Sequence, residues 1–272
     1  LDGGNRLADL NPLSLWRRFL ATSNDNRAKT LVVAFLVSAI CAIAVTGATV
    51  LLRPIQAQNR AAEQQARLEA LIAAVPGMSQ LIEEAGGEAL STVVIDLDTG
   101  AAATTVTPET LETALADPSN WTALGAGDDT AGIGNRPNYA QIYLLRSGDR
   151  VSLAIMPMAG TGYGGRMQAL LAVRGDMRTL AGIAITEQSE TPGLGARIEE
   201  PLWQQSFAGK QLSDETGAHR FAVARGAGRN EFEVDGITGA TRTSNAITQM
   251  IRFWSGPRGY GPLMAAIRRG DF

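Results

Sequence analysis

Hydrophobic and polar positions follow two rhythms along this chain, preceded by one uninterrupted apolar run. The run is residues 30–52, TLVVAFLVSAICAIAVTGATVLL, and it carries no charge. A helix of this length, rising 1.5 Å per residue, reaches about 34 Å, enough to cross a hydrocarbon layer of about 30 Å. The apolar part of a cleaved secretory signal spans only about 7–15 residues. The run therefore predicts a retained anchor in a lipid bilayer. Arg6, Arg17, Arg18, Arg27 and Lys29 precede it, and Arg53, Arg60 and Arg67 follow. The positive-inside bias places the tail, residues 1–29, in the cytoplasm and the larger part of the chain on the other side.

The helical rhythm comes next. IQAQNRAAEQQARLEALIAAVPG is rich in Ala, Gln and Glu, and Leu68, Leu71 and Ile72 stand at i, i+3 and i+4. This predicts a membrane-proximal helix over residues 53–75, stopped by Pro76-Gly77. Residues 76–272 then read as one domain. TVVIDLDTG (92–100) alternates with period two, as a strand does. Residues 101–137, rich in Thr, Ala, Gly and Asp, predict loops and a short helix.

Three strand pairs follow: 140–158 joined at Ser147-Gly148-Asp149, 169–188 turning at Gly175-Asp176, and 219–237 around Gly226-Ala227-Gly228. Helical periodicity returns in SNAITQMIRFW, where Ile247, Met250, Ile251 and Trp254 fall at i, i+3, i+4 and i+7. Strands in runs with helices at the ends predict an α+β fold with antiparallel strands and flanking helices.

Composition narrows the chemistry. Hydrophobic residues make up 45% of the chain and charged residues 19%, so it is neither disordered nor wholly membrane-embedded. A net charge of −3 gives no basic face for nucleic acid. One cysteine, Cys41, and one histidine, His219, exclude a disulfide framework, a zinc site of the Cys/His kind and duplicated CxxC cluster motifs. Cys41 sits mid-span and reads as a small hydrophobe. His219 lies in the polar segment ETGAHRF and reads as a surface residue.

Residues 160–165, GTGYGG, match GxGxxG in spacing, and Glu187 follows about where a ribose-binding acid would sit in a dinucleotide fold. That mechanism needs a helix whose N-terminus meets the pyrophosphate. The available segment, RMQALLAVR, has a continuous apolar run from Ala169 to Val173 and predicts a buried strand instead.

The densest signal is DGITGATRTSN, residues 235–245, with two glycines, three threonines and a serine ahead of the amphipathic helix. Thr243 or Ser244 reads as the helix cap. Unpaired N–H groups and the positive dipole end gather at such a point, which suits an anion. Gly239 lets backbone approach a ligand, Ala240 is the smallest residue with a Cβ, and Thr238, Thr241 and Thr243 supply hydroxyls. These properties favour a phosphate without saying whose it is, or whether it is covalent.

DGITGAT resembles the flavinylation motif Asp-Gly-x-(Ser/Thr)-Gly-Ala-Thr of FMN-binding domains in membrane-bound redox complexes. Asp235, Gly236, Thr238, Gly239, Ala240 and Thr241 fill all its constrained positions, a coincidence of roughly once in 10⁷ positions at average composition. SETPGLGARI (189–198) resembles a loop that lies near the flavin in the same family. The GTGYGG turn resembles a glycine–aromatic turn, with Tyr163 where Trp is common. YGPLMAAIRRG, the single span and the Gln/Glu-rich helix are similar to the C subunits of the sodium-translocating NADH:quinone oxidoreductases.

The resemblance implies FMN joined by a phosphoester to Thr241, with Thr238, Gly239, Ala240 and Thr243 about the phosphate. Glu190, Thr191, Gly193, Leu194, Gly195 and Tyr163 would lie along the flavin, Leu194 covering a ring face. Thr238 and Thr243 are expected to donate hydrogen bonds to the phosphate. Glu187 and Glu190 are either part of the flavin's environment or solvated loop carboxylates.

The resemblance also implies a bacterial inner-membrane protein with a periplasmic domain. Its partners would be an iron–sulfur-bearing subunit, a second flavin-bearing membrane subunit, and the flavin transferase that matures it. The G-type flavoprotein of the Rnf complexes shares the motif and the anchor and is the alternative within this class. A membrane-anchored, non-redox binding or assembly module is the alternative outside it.

Overall fold

The structure, a computed structural model, describes residues 16–17, 21, 26–27, 29–47 and 90–272. Residues 48–52 of the expected span and the expected helix over 53–75 lie outside the described residues. Helix α1, Lys29–Gly47, has 19 residues and a mean hydropathy of 2.4, and none of it is buried against the rest of the chain. By length and composition it is able to cross a membrane. The chain divides into two units after residue 66, and the domain lies in the second.

The domain is built on a five-stranded sheet. Its strands are β1 (Ser91–Asp96), β4 (Tyr139–Ser147), β5 (Arg150–Thr161), β6 (Arg166–Arg174) and β7 (Leu180–Glu187), ordered β1-β4-β5-β6-β7. Every pairing is antiparallel. β4 to β7 form a meander, and two of its turns fall where the glycines predict them. Gly148 has φ +59°, a left-handed conformation that suits a residue without a Cβ. The sheet buries both faces, because successive residues of the central strands point to opposite sides. Ala154, Met156 and Met158 of β5 join one buried cluster, and Leu153 and Ile155 join another.

The first cluster is covered by two C-terminal helices, α4 (Thr241–Ser255) and α5 (Gly261–Arg269). Ile247, Met250, Ile251 and Trp254 are buried, as their spacing predicts. Each such side chain contributes about 1.5–3 kcal/mol relative to exposure. Two polar staples fix the pair to β5. Trp254 Nε1 donates to the Ala159 carbonyl at 2.7 Å, and the buried Tyr260 hydroxyl donates to the Pro157 carbonyl at 2.6 Å. Gly270, with φ +83°, ends α5.

Residues 101–137 hold the expected short helix, α2 (Leu111–Leu115), and also an unexpected antiparallel pair, β2 (Trp121–Ala123) and β3 (Asn135–Pro137). Arg136 ties this insert down. It is buried, pairs with Asp98 at 2.6 Å and donates to the Arg258 carbonyl at 3.0 Å.

The expected strand pair at 219–237 is corrected in form. β8 (Ala222–Val223) and β9 (Glu233–Val234) are two residues long and pair in parallel. The intervening loop does not reverse as a hairpin. Instead the Thr248 hydroxyl of α4 accepts from Val223 N at 2.9 Å, and Val223 and Val234 are drawn into the helix-side core. Helix α3 (Pro201–Gln205) completes the domain.

His219 is half-buried, not a surface residue. Its Nε2 lies 2.9 Å from Ser255 Oγ, which itself donates to the Ile251 carbonyl. Ser255 is therefore the acceptor, and the imidazole carries its proton on Nε2. Burial, with Arg252 nearby, lowers the His219 pKa from 6.5 to about 4. The folded state thus prefers the neutral ring. Its contribution to stability is complete above about pH 6.5 and is lost as pH falls towards 4. Chemical unfolding of the full chain in detergent should show a loss of stability across that window, and His219→Gln should flatten it. Tyr260→Phe, measured in the same way, should destabilise by about 1 kcal/mol by deleting the bond to Pro157.

Candidate functional site

Three segments meet at the N-terminus of α4. The first is the β5–β6 turn, residues 162–165, closed by Gly162 N donating to the Gly165 carbonyl at 2.7 Å. GTGYGG is therefore a hairpin turn leading into strand β6, and no helix follows it as a dinucleotide site would require. The second is the loop 189–195 after β7, which turns through Gly193 at φ +75° and enters a 3₁₀ helix, Gly195–Glu199. The third is the turn 235–240.

In that third turn, Gly239 has φ +79° and Ala240 N donates to the Ile237 carbonyl at 3.0 Å. The helix begins at Thr241 with Ala240 as its N-cap, three or four residues ahead of the expected cap. Thr243 and Ser244 do not cap it. Ser244 Oγ accepts from Ile237 N at 3.3 Å, holding the turn to the first helical turn. The first backbone bond into the helix is Ser244 N to the Ala240 carbonyl at 3.0 Å. Among the described residues, the N–H groups of Thr241, Arg242 and Thr243 have no acceptor within the domain, as expected of a helix start.

Glu190 joins its own loop to the β5–β6 turn and to the first turn of α4. Only 5% exposed, its carboxylate accepts from Thr243 Oγ1 at 2.6 Å and from Gly164 N at 2.9 Å. It is not a solvated loop carboxylate. Glu187 is exposed and bonds Gln168 across the β6–β7 pair. The Thr243 hydroxyl, expected to serve a phosphate, is committed to Glu190 instead. The glycines make this convergence possible. A Cβ on Gly162 would collide with the Glu190 carboxylate. A Cβ on Gly195 would stand 2.5 Å from Glu190 Oε2 and 2.6 Å from Thr243 Oγ1.

Beside this junction lies a cavity of about 440 Å³, lined by Tyr163, Glu190, Thr191, Leu194, Gly195, Gly239, Ala240, Thr241, Arg242 and Thr243. This volume is within the range usual for small-molecule sites. Nine of the sequence-predicted residues thus share one wall. Thr238 and Gly193 do not line it; Thr238 is exposed in the approach to the helix, and Gly193 shapes the loop. Thr241 is exposed at the cavity. Tyr163 is 62% and Leu194 45% exposed, both apolar groups facing an open space.

Arg242 has no part in the site as the sequence predicts it. Its guanidinium lies 5.3 Å from the centre of the Tyr163 ring. Its position directly after Thr241 is the signal that could have found it.

The free N–H groups at the helix start suit an anion, and Tyr163 and Leu194 offer exposed apolar surface to a flat ring. Gly239 suits that shape, since its φ of +79° is left-handed and a Cβ there would press on Leu194 Cδ2 at 3.2 Å. The residues present therefore suit FMN.

Comparison with known proteins agrees. A family model described as FMN-binding domain matches residues 162–255, which contain all three converging segments. The C subunit of the Na(+)-translocating NADH-quinone reductase of Vibrio anguillarum is 36% identical over 256 residues, covering 92% of this chain and 99% of that protein. The C subunits of Pasteurella multocida and Pseudomonas aeruginosa are 34% and 31% identical, covering 91% and 92% of this chain and 97% and 99% of theirs. The crystal structure of Shewanella oneidensis NqrC shares the fold, with a TM-score of 0.62 at 24% identity, over 69% of this chain and 88% of that one. Near-complete coverage at this identity, with the FMN-binding domain falling on the cavity, places this chain in the family of Na(+)-translocating NADH-quinone reductase C subunits.

Proposed function

We propose that this chain is the electron-transfer subunit of a sodium-translocating NADH:quinone reductase and that it carries FMN as a phosphoester on Thr241. The observation that carries the proposal is the exposed Thr241 hydroxyl at the start of α4, in a cavity whose wall joins Tyr163, Glu190 and Leu194. FMN, when bound, supplies reversible electron storage, so the chain itself needs no acid, base or nucleophile. Its residues place and surround the cofactor. Attachment transfers the FMN phosphoryl group from FAD to Thr241 Oγ. The pyrophosphate bond breaks, and AMP leaves with the hydroxyl proton. A flavin transferase performs this step.

The phosphodiester keeps one negative charge. The N–H groups of Thr241, Arg242 and Thr243, which have no acceptor among the described residues, would be open to that group, and the helix dipole would add about 0.3–1 kcal/mol at an exposed site. Thr243 acts indirectly, by holding Glu190 and so the loop 190–195. Leu194 and Tyr163 offer apolar cover to the ring. In this reading α1 spans the bacterial inner membrane with residues 1–29 in the cytoplasm. The same reading expects a membrane-proximal helix over residues 53–75, outside the described residues, and a periplasmic domain over 76–272. Electrons pass between an iron–sulfur centre and a second flavin held by neighbouring subunits. Relatives named as C subunits of the quinone reductase, covered almost end to end, support this assembly over the Rnf alternative.

Co-expression with a flavin transferase should give a denatured band that fluoresces and is heavier by FMN less water. Thr241→Ala should abolish both signals, whereas Thr243→Ala, which removes the bond to Glu190 but not the attachment oxygen, should weaken them several-fold without abolishing them. A dark wild-type band beside a working transferase control would return the turn to a plain helix start in a non-redox module. Gly195→Ala should lower flavin occupancy several-fold in the same assay, because its Cβ displaces the Glu190–Thr243 pair. Unchanged occupancy would show that this pair does not shape the site.

A further inference from the structure

We propose that Arg242, steadied against the ring of Tyr163, is the counter-ion that raises the reduction potential of the flavin in this site. The proposal rests on the FMN reading above. Arg242 is the second residue of α4, adjacent to Thr241, and its side chain lines the same cavity.

Its charge is uncommitted. Arg197, Arg220, Arg258 and Arg269 each pair with a carboxylate, whereas among the described residues Arg242 has none. The one carboxylate in the cavity wall, Glu190, already accepts from Thr243 and Gly164. Among the described residues, the contact that fixes the direction of Arg242 is the Tyr163 ring, 5.3 Å away, and that ring lines the cavity too. Tyr163 therefore turns the guanidinium along the cavity rim instead of leaving it free in water.

Adding one electron to the bound ring without a proton adds one negative charge to it. A nearby cation stabilises that form over the oxidised one. A guanidinium stays charged at any working pH, so the stabilisation does not depend on its titration. The site is open, so the effect is partly screened by salt.

The test is an optical redox titration of the flavinylated full chain in detergent, at low and high ionic strength. The proteins compared are wild type, Arg242→Gln, Arg242→Lys and Tyr163→Leu, with flavin occupancy read by intact mass. Arg242→Gln should lower the potential by about three- to tenfold in the one-electron equilibrium constant, tenfold being about 59 mV. Arg242→Lys should restore most of the loss, Tyr163→Leu should fall between, and every shift should shrink at high salt. A Gln variant at the wild-type potential would overturn the proposal, as would a Lys variant as low as the Gln variant. So would a Gln variant that takes up no flavin while wild type does, since Arg242 would then serve attachment. Wild type without flavin on Thr241 would instead bring down the FMN reading on which the proposal stands.

Discussion

A buried carboxylate with two donors organises this domain's functional end. Glu190 accepts from the Thr243 hydroxyl of α4 and from Gly164 N of the β5–β6 turn. A carboxylate this far from water is expensive unless its acceptor capacity is used by nearby donors. The two donors come from segments 26 and 53 residues away in sequence. Satisfying Glu190 therefore demands that the turn, the loop and the helix start arrive together. The glycines at 162 and 195 are consequences of that demand, because any Cβ would occupy the space of the Glu190 oxygens.

The sheet and helices explain why the junction is rigid enough to hold a cofactor. α4 is locked along its length. Trp254 and Tyr260 bond the β5 backbone near the helix's C-terminal end, Thr248 bonds Val223 near its middle, and Thr243 bonds Glu190 at its start. β5 in turn runs from the Pro157 and Ala159 carbonyls directly into the turn that carries Tyr163. The helix start and the opposite rim of the cavity are thus registered to the same strand. A group attached to Thr241 would enter a cavity whose Tyr163 rim is held by the same strand that anchors the helix.

Local patterning made the scaffold legible. The β4–β7 meander follows from period-two alternation and glycine turns, and α4 from its i, i+3, i+4, i+7 stripe. The strand nature of residues 166–174 was readable from an apolar run with no helical period, which also disposed of the GxGxxG spacing. The membership of Thr241, Gly239, Ala240, Leu194 and Tyr163 in one site came from resemblance, and the cavity brings these residues together. Tertiary contacts decided what stayed illegible. β8 and β9 are too short to carry a period, and they exist because α4 supplies their neighbours. Thr243 looked like a cap because Thr before an apolar stripe often is one. Its hydroxyl was taken by a carboxylate 53 residues upstream, and Gly239 let the helix begin earlier.

Charge at the helix start shows why the site needs both a buried acid and an exposed base. The dipole offers roughly half a positive charge there. Glu190 draws on it from the buried side, while its two hydrogen bonds disperse its own charge into the turn and the helix. A phosphodiester on Thr241 would add a second negative charge on the open side, which half a charge cannot balance. Arg242 is placed where that deficit arises, one residue along the helix and facing the cavity. With it, the site would carry about half a negative charge with an oxidised flavin attached and about one and a half once an electron arrived. Without it, the electron would enter a region already carrying about one and a half negative charges. The turn thus runs through small residues to Thr241 and then places a single arginine, which sets a cation beside the point where negative charge would gather.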